Sequence, residues 1–362
     1  MSQTPSSLKA RLYREISLTG PMTVADYVSR CLHDPTDGYY ATRPALGEDG
    51  DFITAPLVSQ MFGELIGLWA VETWTRLGSP ARFSLVEVGP GDGTLIGDAL
   101  RAARLVPEFL TACDLILIEP SVPLRHRQAD RLAGATATPR WVGSVADIPA
   151  DAPVILIANE VLDCLPARQF VRTDDGWAER RIGVDDTDSL IFGLTAASGG
   201  IAEPTFIVIP GQVVEVSDQQ AAFGRDVGAL IATATGAALL IDYGRDRPGM
   251  GDTLQALSRH KKVDPLAEPG QADLTQWADF PLVRQAAIAA GAAATPCRMQ
   301  GNFLRALGIE ARADRLKAGR PDAASIIDRQ LHRLTADDQM GQLFKACAIH
   351  APPDLIVPGF ET

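Results

Sequence analysis

A chain of 362 residues, 46% apolar and 22% charged, has room for two or three domains and enough apolar side chains to bury a core. That composition excludes a disordered or fibrous protein. A formal net charge of −12 argues against non-specific binding to nucleic acid or to an anionic membrane surface.

Two helices are expected first. One covers Leu8–Leu18 and is stopped by Gly20-Pro21; the other starts at Thr23, with Asp26 placed as in a capping box. Residues 47–56 read as a loop, and 57–77 as an amphipathic helix rich in Leu, Phe and Trp. From residue 83 the pattern becomes strand–helix alternation. Short apolar runs at Phe83–Val88, Leu115–Ile118, Trp141–Val145, Val154–Ala158 and Ala237–Ile241 are separated by helical stretches at 94–106, 121–133 and 218–234. Such runs predict strands buried on both faces, hence an α/β fold with a parallel, doubly wound sheet. Two stretches interrupt it. Residues 165–216 carry short β-strands at Gln169–Arg172, Trp177–Ile182 and Leu190–Leu194; residues 245–280 show little periodicity and read as a loop cover. Helices near 302–307 and 322–335 and a last strand, Leu343–Ile349, close the chain. The expected division is an N-terminal helical cap, 1–80, and a core, 81–362, with the two insertions.

The five cysteines, Cys31, Cys113, Cys164, Cys297 and Cys347, are odd in number and widely spaced. This argues against a disulfide framework or a zinc site, no metal is expected, and the usage fits a reducing compartment. Cys113 and Cys347 sit in apolar runs as small core residues. Residues 1–10 lack the apolar segment of a secretory signal, and no apolar run reaches the roughly 20 residues of a membrane span. The bacterial cytoplasm is the expected location.

The chemistry is concentrated at strand ends. Residues 87–94, Glu-Val-Gly-Pro-Gly-Asp-Gly-Thr, follow the first strand and open a helix. Glycines there let a ligand approach the main chain, and the helix N-terminus offers unpaired N–H groups. The second strand ends at Glu119, placed to accept hydrogen bonds from both hydroxyls of a ribose. Together they imply a nucleoside-containing cofactor. Thr94 occupies the third glycine position of the NAD pattern, which damages that reading. The pattern present, Glu87 with Gly89, Gly91 and Gly93 around Pro90, is the S-adenosylmethionine signature of class I methyltransferases, with Glu87 placed to meet the cofactor's ammonium. Asp147, after the third strand, either faces adenine or is a solvated acid. At the fourth strand end stand Asn159, Glu160 and Asp163, either a carboxylate site for a cationic guanidinium or a helix cap with acids behind it. Asp242 and Tyr243 end the fifth strand, on a substrate groove or with the tyrosine ring buried.

With these residues the chain resembles the MidA-type methyltransferases. The blocks that carry the likeness are Asp37-Gly38-Tyr39-Tyr40, 50–54, 59–64, 87–94, Asn159-Glu160 with Leu165-Pro166, Gln169-Phe170, 241–244, 272–275 and 300–304. Departures are Asp37 where that family usually has His, Asp92 where it has Arg, Val161-Leu162 where aromatic residues are common, and Asn302 where it has Glu. The resemblance implies a methyltransferase core using S-adenosyl-L-methionine. It also implies a protein substrate, most simply an arginine of an oxidoreductase subunit, because the mitochondrial members are complex I assembly factors that dimethylate a protein arginine symmetrically. A processed eukaryotic form would sit in the mitochondrial matrix. A binding-only assembly chaperone that keeps the cofactor fold is the alternative, and an NAD-dependent oxidoreductase a weaker one.

Overall fold

The computed structural model describes residues 7–42, 54–197 and 199–361. The resemblance block at 50–54 therefore lies outside the described residues except for Thr54. Contacts divide the chain into two compact units. The first takes residues up to 52, 162–221 and 247–279; the second takes 53–161, 222–246 and 280–362.

The second unit is the α/β core. Its main strands are β1 (Phe83–Val88), β2 (Cys113–Ile118), β3 (Arg140–Val142), β4 (Val154–Asn159), β5 (Gly236–Arg245) and β6 (Phe344–Ala351). They lie in the order β3-β2-β1-β4-β5-β6, the first five parallel and β6 antiparallel to β5. Val86 stands opposite Ile116 on one side and Leu156 on the other, and Leu240 lies between Ala158 and Cys347. Every residue of β1, β4, β5 and β6 is buried, which is why their sequences are mostly apolar rather than alternating. The chain order reverses between β1 and β4. In open sheets of this kind that reversal opens a crevice beyond the carboxyl ends of the strands.

Helix Gln60–Arg76 packs on helix Thr94–Ala103. A Cβ at Gly67 would fall 2.5 Å from the Ala99 carbonyl oxygen, so only glycine permits this approach. Phe62, Ile66, Trp69 and Trp74 bury their side chains in the same cluster as Phe83 and Leu85.

The first unit has its own core. Strands Met22–Thr23, Gly176–Val184, Arg168–Thr173 and Val213–Val216 form an antiparallel sheet in that order, with Leu190–Ala196 also paired to Gly176–Val184. Leu8, Leu12, Ile16, Tyr27 and Leu32 from helices Leu8–Thr19 and Val24–His33 pack with Ile182 and Leu190. Thr23 caps the second helix by accepting from Asp26 N at 3.0 Å, but the Asp26 carboxylate meets the Thr23 hydroxyl at 2.6 Å. The capping box is thus half made.

Two expectations about organisation change. Residues 1–80 are not one cap: helices Leu8–Thr19 and Val24–His33 share a core with the 168–216 strands, whereas Gln60–Arg76, apolar almost all round, is wrapped into the α/β core. The 245–280 stretch is more than a loop cover, because Gln255–Ser258 pairs with both Lys261–Val263 and Asp273–Thr275. Strands of three or four residues are too short for alternation to register.

Candidate functional site

In the α/β core, the turn after β1 is built by backbone geometry. Gly89, Gly91 and Gly93 have φ of +62°, +57° and +84°, a region open at low cost only to glycine. Gly89 N donates to Ile118 O at 3.0 Å and Gly93 N to Pro90 O at 2.8 Å, which folds the turn across the ends of β1 and β2. Thr94 N, in the first turn of helix Thr94–Ala103, donates to the Asp92 carboxylate at 3.0 Å, and Arg131 holds that carboxylate at 2.6 Å. The aspartate that replaces the resemblance's arginine is therefore an internal brace of the loop.

Glu87 is 2% exposed at the carboxyl end of β1. Burial, aided by the charge of Asp92, pushes its carboxyl up to about 8, against a hydrogen bond from the Ile96 backbone that favours the charged form. Its Oε2 is buried with no hydrogen-bond partner. A buried acceptor with nothing to accept is costly unless a donor is brought to it. An ammonium group carries such donors and restores the charge balance.

At the end of β2, Glu119 is 4% exposed and burial raises its pKa. One carboxylate oxygen accepts from Ser121 N at 2.8 Å, the other from Gln128 Nε2 at 3.2 Å. Gln128, wholly buried in helix Val122–Leu132, also donates to Gly91 O at 2.7 Å and accepts from Trp141 Nε1 at 2.7 Å. One amide thus ties the glycine turn, the acid and β3 together. Neither Gln128 nor Trp141 stands out in the sequence; a lone glutamine on a polar helix carries no signal. The buried Ser121 hydroxyl is another polar atom without a partner, two residues beyond Glu119.

Asp147 is exposed, and one carboxylate oxygen accepts from Gly143 N, Ser144 N and Ser144 Oγ at 3.2, 2.9 and 2.9 Å. It closes the turn after β3. Asn159 ends β4, 9% exposed, with Oδ1 buried and unpartnered. Glu160 follows with φ +54°. Its Oε1 accepts from Asn159 Nδ2 and from Ala55 N, each at 3.0 Å. No helix begins behind Asn159, so it caps none; the helix terminus met here belongs to Ala55–Val58, and Glu160 is the residue that meets it.

The remaining expected site residues are placed differently. Asp163 belongs to the first unit, where Cys164 Sγ lies 3.3 Å from its carboxylate and 2.8 Å from the Tyr40 hydroxyl. Burial and the neighbouring carboxylates Asp273 and Asp163 push the Tyr40 hydroxyl well above its ordinary range. Asp242 is fully buried and accepts from Tyr243 N at 2.8 Å. Tyr243, 5% exposed, packs its ring 5.4 Å from that of Phe344. Of the two readings open from sequence, a groove wall or a buried ring, the structure has the ring buried. Among the described residues no group of three His, Cys, Asp or Glu side chains is placed to hold a metal ion, and no helix is long and apolar enough to cross a membrane.

The donors and acceptors fit S-adenosylmethionine: an orphaned buried carboxylate oxygen for the ammonium, a buried acid at the second strand end for the ribose, and an open glycine turn between them. Comparison with known proteins agrees. Residues 65–297 match the family described as "Putative S-adenosyl-L-methionine-dependent methyltransferase". The mitochondrial protein arginine methyltransferase NDUFAF7 of Rattus norvegicus is 35% identical, over 97% of this chain and 89% of its own length. That of Homo sapiens is 34% identical, over 93% and 82%. A Burkholderia thailandensis protein solved bound to S-adenosyl-homocysteine matches with a TM-score of 0.85 and 26% identity, covering 99% of this chain and 98% of that one.

Proposed function

We propose that this chain, which belongs to the S-adenosyl-L-methionine-dependent methyltransferase family matched over residues 65–297, methylates an arginine side chain of a protein. The observation that carries the cofactor site is the unpartnered Oε2 of Glu87 beside the glycine turn. The arginine rests on the relatives, which are named as protein arginine methyltransferases.

When bound, S-adenosylmethionine supplies a methyl group already activated by its sulfonium. The protein's part is to align the nucleophile with it and to keep water away. Glu87 would hold the ammonium, Glu119 the ribose hydroxyls, and Asp147 the adenine edge. Gln128 fixes Glu119 and the Gly91 carbonyl in one arrangement before any ligand arrives. A guanidinium substrate is cationic and needs a carboxylate at the fourth strand end; Glu160, oriented by Asn159 and Ala55 N, provides that charge. The proton leaves nitrogen after transfer, so no strong base is required beside it.

The finer reading extends the resemblance: symmetric dimethylation of an arginine on a respiratory complex I subunit or its bacterial counterpart. The chain would work in a reducing compartment, the bacterial cytoplasm or, for a processed eukaryotic form, the mitochondrial matrix that its relatives' mitochondrial names suggest. The test is mass spectrometry of the host proteome with and without this gene. A methylarginine that disappears on deletion, and returns when the purified chain and S-adenosylmethionine are added to the unmethylated protein, supports the reading. An unchanged arginine-methylation map refutes it.

A further inference from the structure

At the far edge of the core sheet, two short strands pair with β6. Ala293 and Ala294 stand opposite His350 and Ile349, and Thr295 N donates to Ala348 O at 2.9 Å. Three residues after Thr295 the register has moved by one: Arg298 and Met299 stand opposite Ala346 and Lys345. Between these pairs, Pro296 and Cys297 together face the single residue Cys347. This is a β-bulge, with proline, which has no N–H to donate, at its first position. Residues opposite one another on antiparallel strands have Cα atoms about 4.5–5.5 Å apart, within the roughly 4.4–6.8 Å a disulfide needs. Each thiol is close enough to shift the titration of the other.

We propose that Cys297 and Cys347 form a thiol pair that peroxide converts reversibly to a disulfide. Cys297 is the partly buried member and Cys347 the fully buried one. The neighbouring Cys347 thiol, with the positive charges of Arg284 and Lys345, lowers the pKa of Cys297 against the opposing effects of burial and Asp246. Arg284 Nε is itself buried with no hydrogen-bond partner, so a thiolate or sulfenate at Cys297 has an unused donor nearby. Cys31 and Cys113 differ. Burial pushes Cys31 up to about 11 and Cys113 up to about 12, which leaves them inert at neutral pH.

The Cys297 thiolate attacks one peroxide oxygen and breaks the O–O bond. It becomes a sulfenic acid, and the leaving hydroxide takes up a proton to form water. The Cys347 thiol then displaces the sulfenic hydroxyl as a second water while the S–S bond forms. Two thiols are oxidised, one hydrogen peroxide is reduced, and a dithiol reductant reverses the change. The closed loop encloses helices Gln300–Ala306, Ile309–Gly319 and Ala324–Thr335, so the link constrains the chain that covers this sheet edge.

The experiment is peptide mapping of the full chain after hydrogen peroxide, with remaining thiols blocked by a maleimide. The expected product is a Cys297–Cys347 cross-link, lost on adding dithiothreitol and accompanied by a rise in Tm. Cys297→Ser should leave Cys347 as a free thiol, and Arg284→Gln should slow linkage severalfold. Complete maleimide labelling of both cysteines in peroxide-treated, folded wild-type protein would overturn the proposal, as would a cross-link to a different cysteine. The wild-type map decides without relying on a variant to fold.

Discussion

The Glu160 carboxylate is hydrogen-bonded to the backbone N–H of Ala55, 105 residues earlier, at 3.0 Å. A residue read from sequence as a substrate acid thus also anchors the entry to the helices that cover the core sheet. The two roles separate by substitution. Glutamine keeps an oxygen for Ala55 N and removes the charge. Glu160→Gln should therefore leave Tm and product affinity near wild type while methyl transfer falls at least about tenfold, roughly 1.4 kcal/mol in the barrier. Glu160→Ala should lose the anchor too and cost about 1–2 kcal/mol of stability, the scale of a lost helix cap. Chemical denaturation and single-turnover transfer measure the two effects. Full transfer activity in the glutamine variant would reduce Glu160 to its anchoring role.

Gln128 offers a second separation. Its amide satisfies Gly91 O, Glu119 and Trp141 Nε1 while touching no solvent. Gln128→Leu keeps the approximate volume and strands all three partners. Product binding should weaken by about 1–3 kcal/mol, the penalty for leaving buried groups unpaired. The Trp141 fluorescence should change as its N–H is released. Calorimetric titration with S-adenosylhomocysteine checks the affinity; wild-type binding would mean that the turn holds its shape without this brace.

What the sequence shows and hides follows from range. β1, β2 and β4 are largely apolar because most of their residues are buried on both faces, and Gly89, Gly91 and Gly93 mark φ values that other residues avoid. Those signals are local. The Glu160–Ala55 contact and the Gln128 junction join segments far apart in the chain, and no local pattern announces them. Tyr243 carries a local signal with two readings, a groove wall or a buried ring, and only its contact with Phe344 on the neighbouring strand shows the ring packed in the core. The division of residues 1–80 between two cores is hidden for the same reason, since an amphipathic helix shows that it has a partner but not which one.

Gly91, with φ +57°, tests the turn directly. A β-branched residue is strained at that φ and cannot hold the turn as built. Gly91→Val should abolish product binding while circular dichroism and the unfolding transition report a folded chain. Unchanged affinity would remove the glycine turn from the site.

Glu87 gives the site a pH signature. Its carboxyl is raised to about 8 in the folded chain from an ordinary value of 4.5, so between these limits the folded state holds more protons than the unfolded one. Its contribution to stability is then complete below about 4.5 and is lost as pH rises towards 8. Glu87→Gln, which stays neutral, should flatten that decline and make the ligand-free protein more stable than wild type at pH 8. Binding has the opposite slope. An ammonium selects the charged carboxylate, so affinity for S-adenosylhomocysteine should rise with pH between 6 and 8, approaching tenfold per unit at the steepest. Complex formation in that range should release a proton. Titration calorimetry in two buffers of different ionisation enthalpy counts it. The glutamine variant should bind more weakly, with no proton released by this group and no rise in affinity towards pH 8. A wild-type affinity flat from pH 6 to 8, with no proton exchanged, would mean that Glu87 does not receive the ammonium.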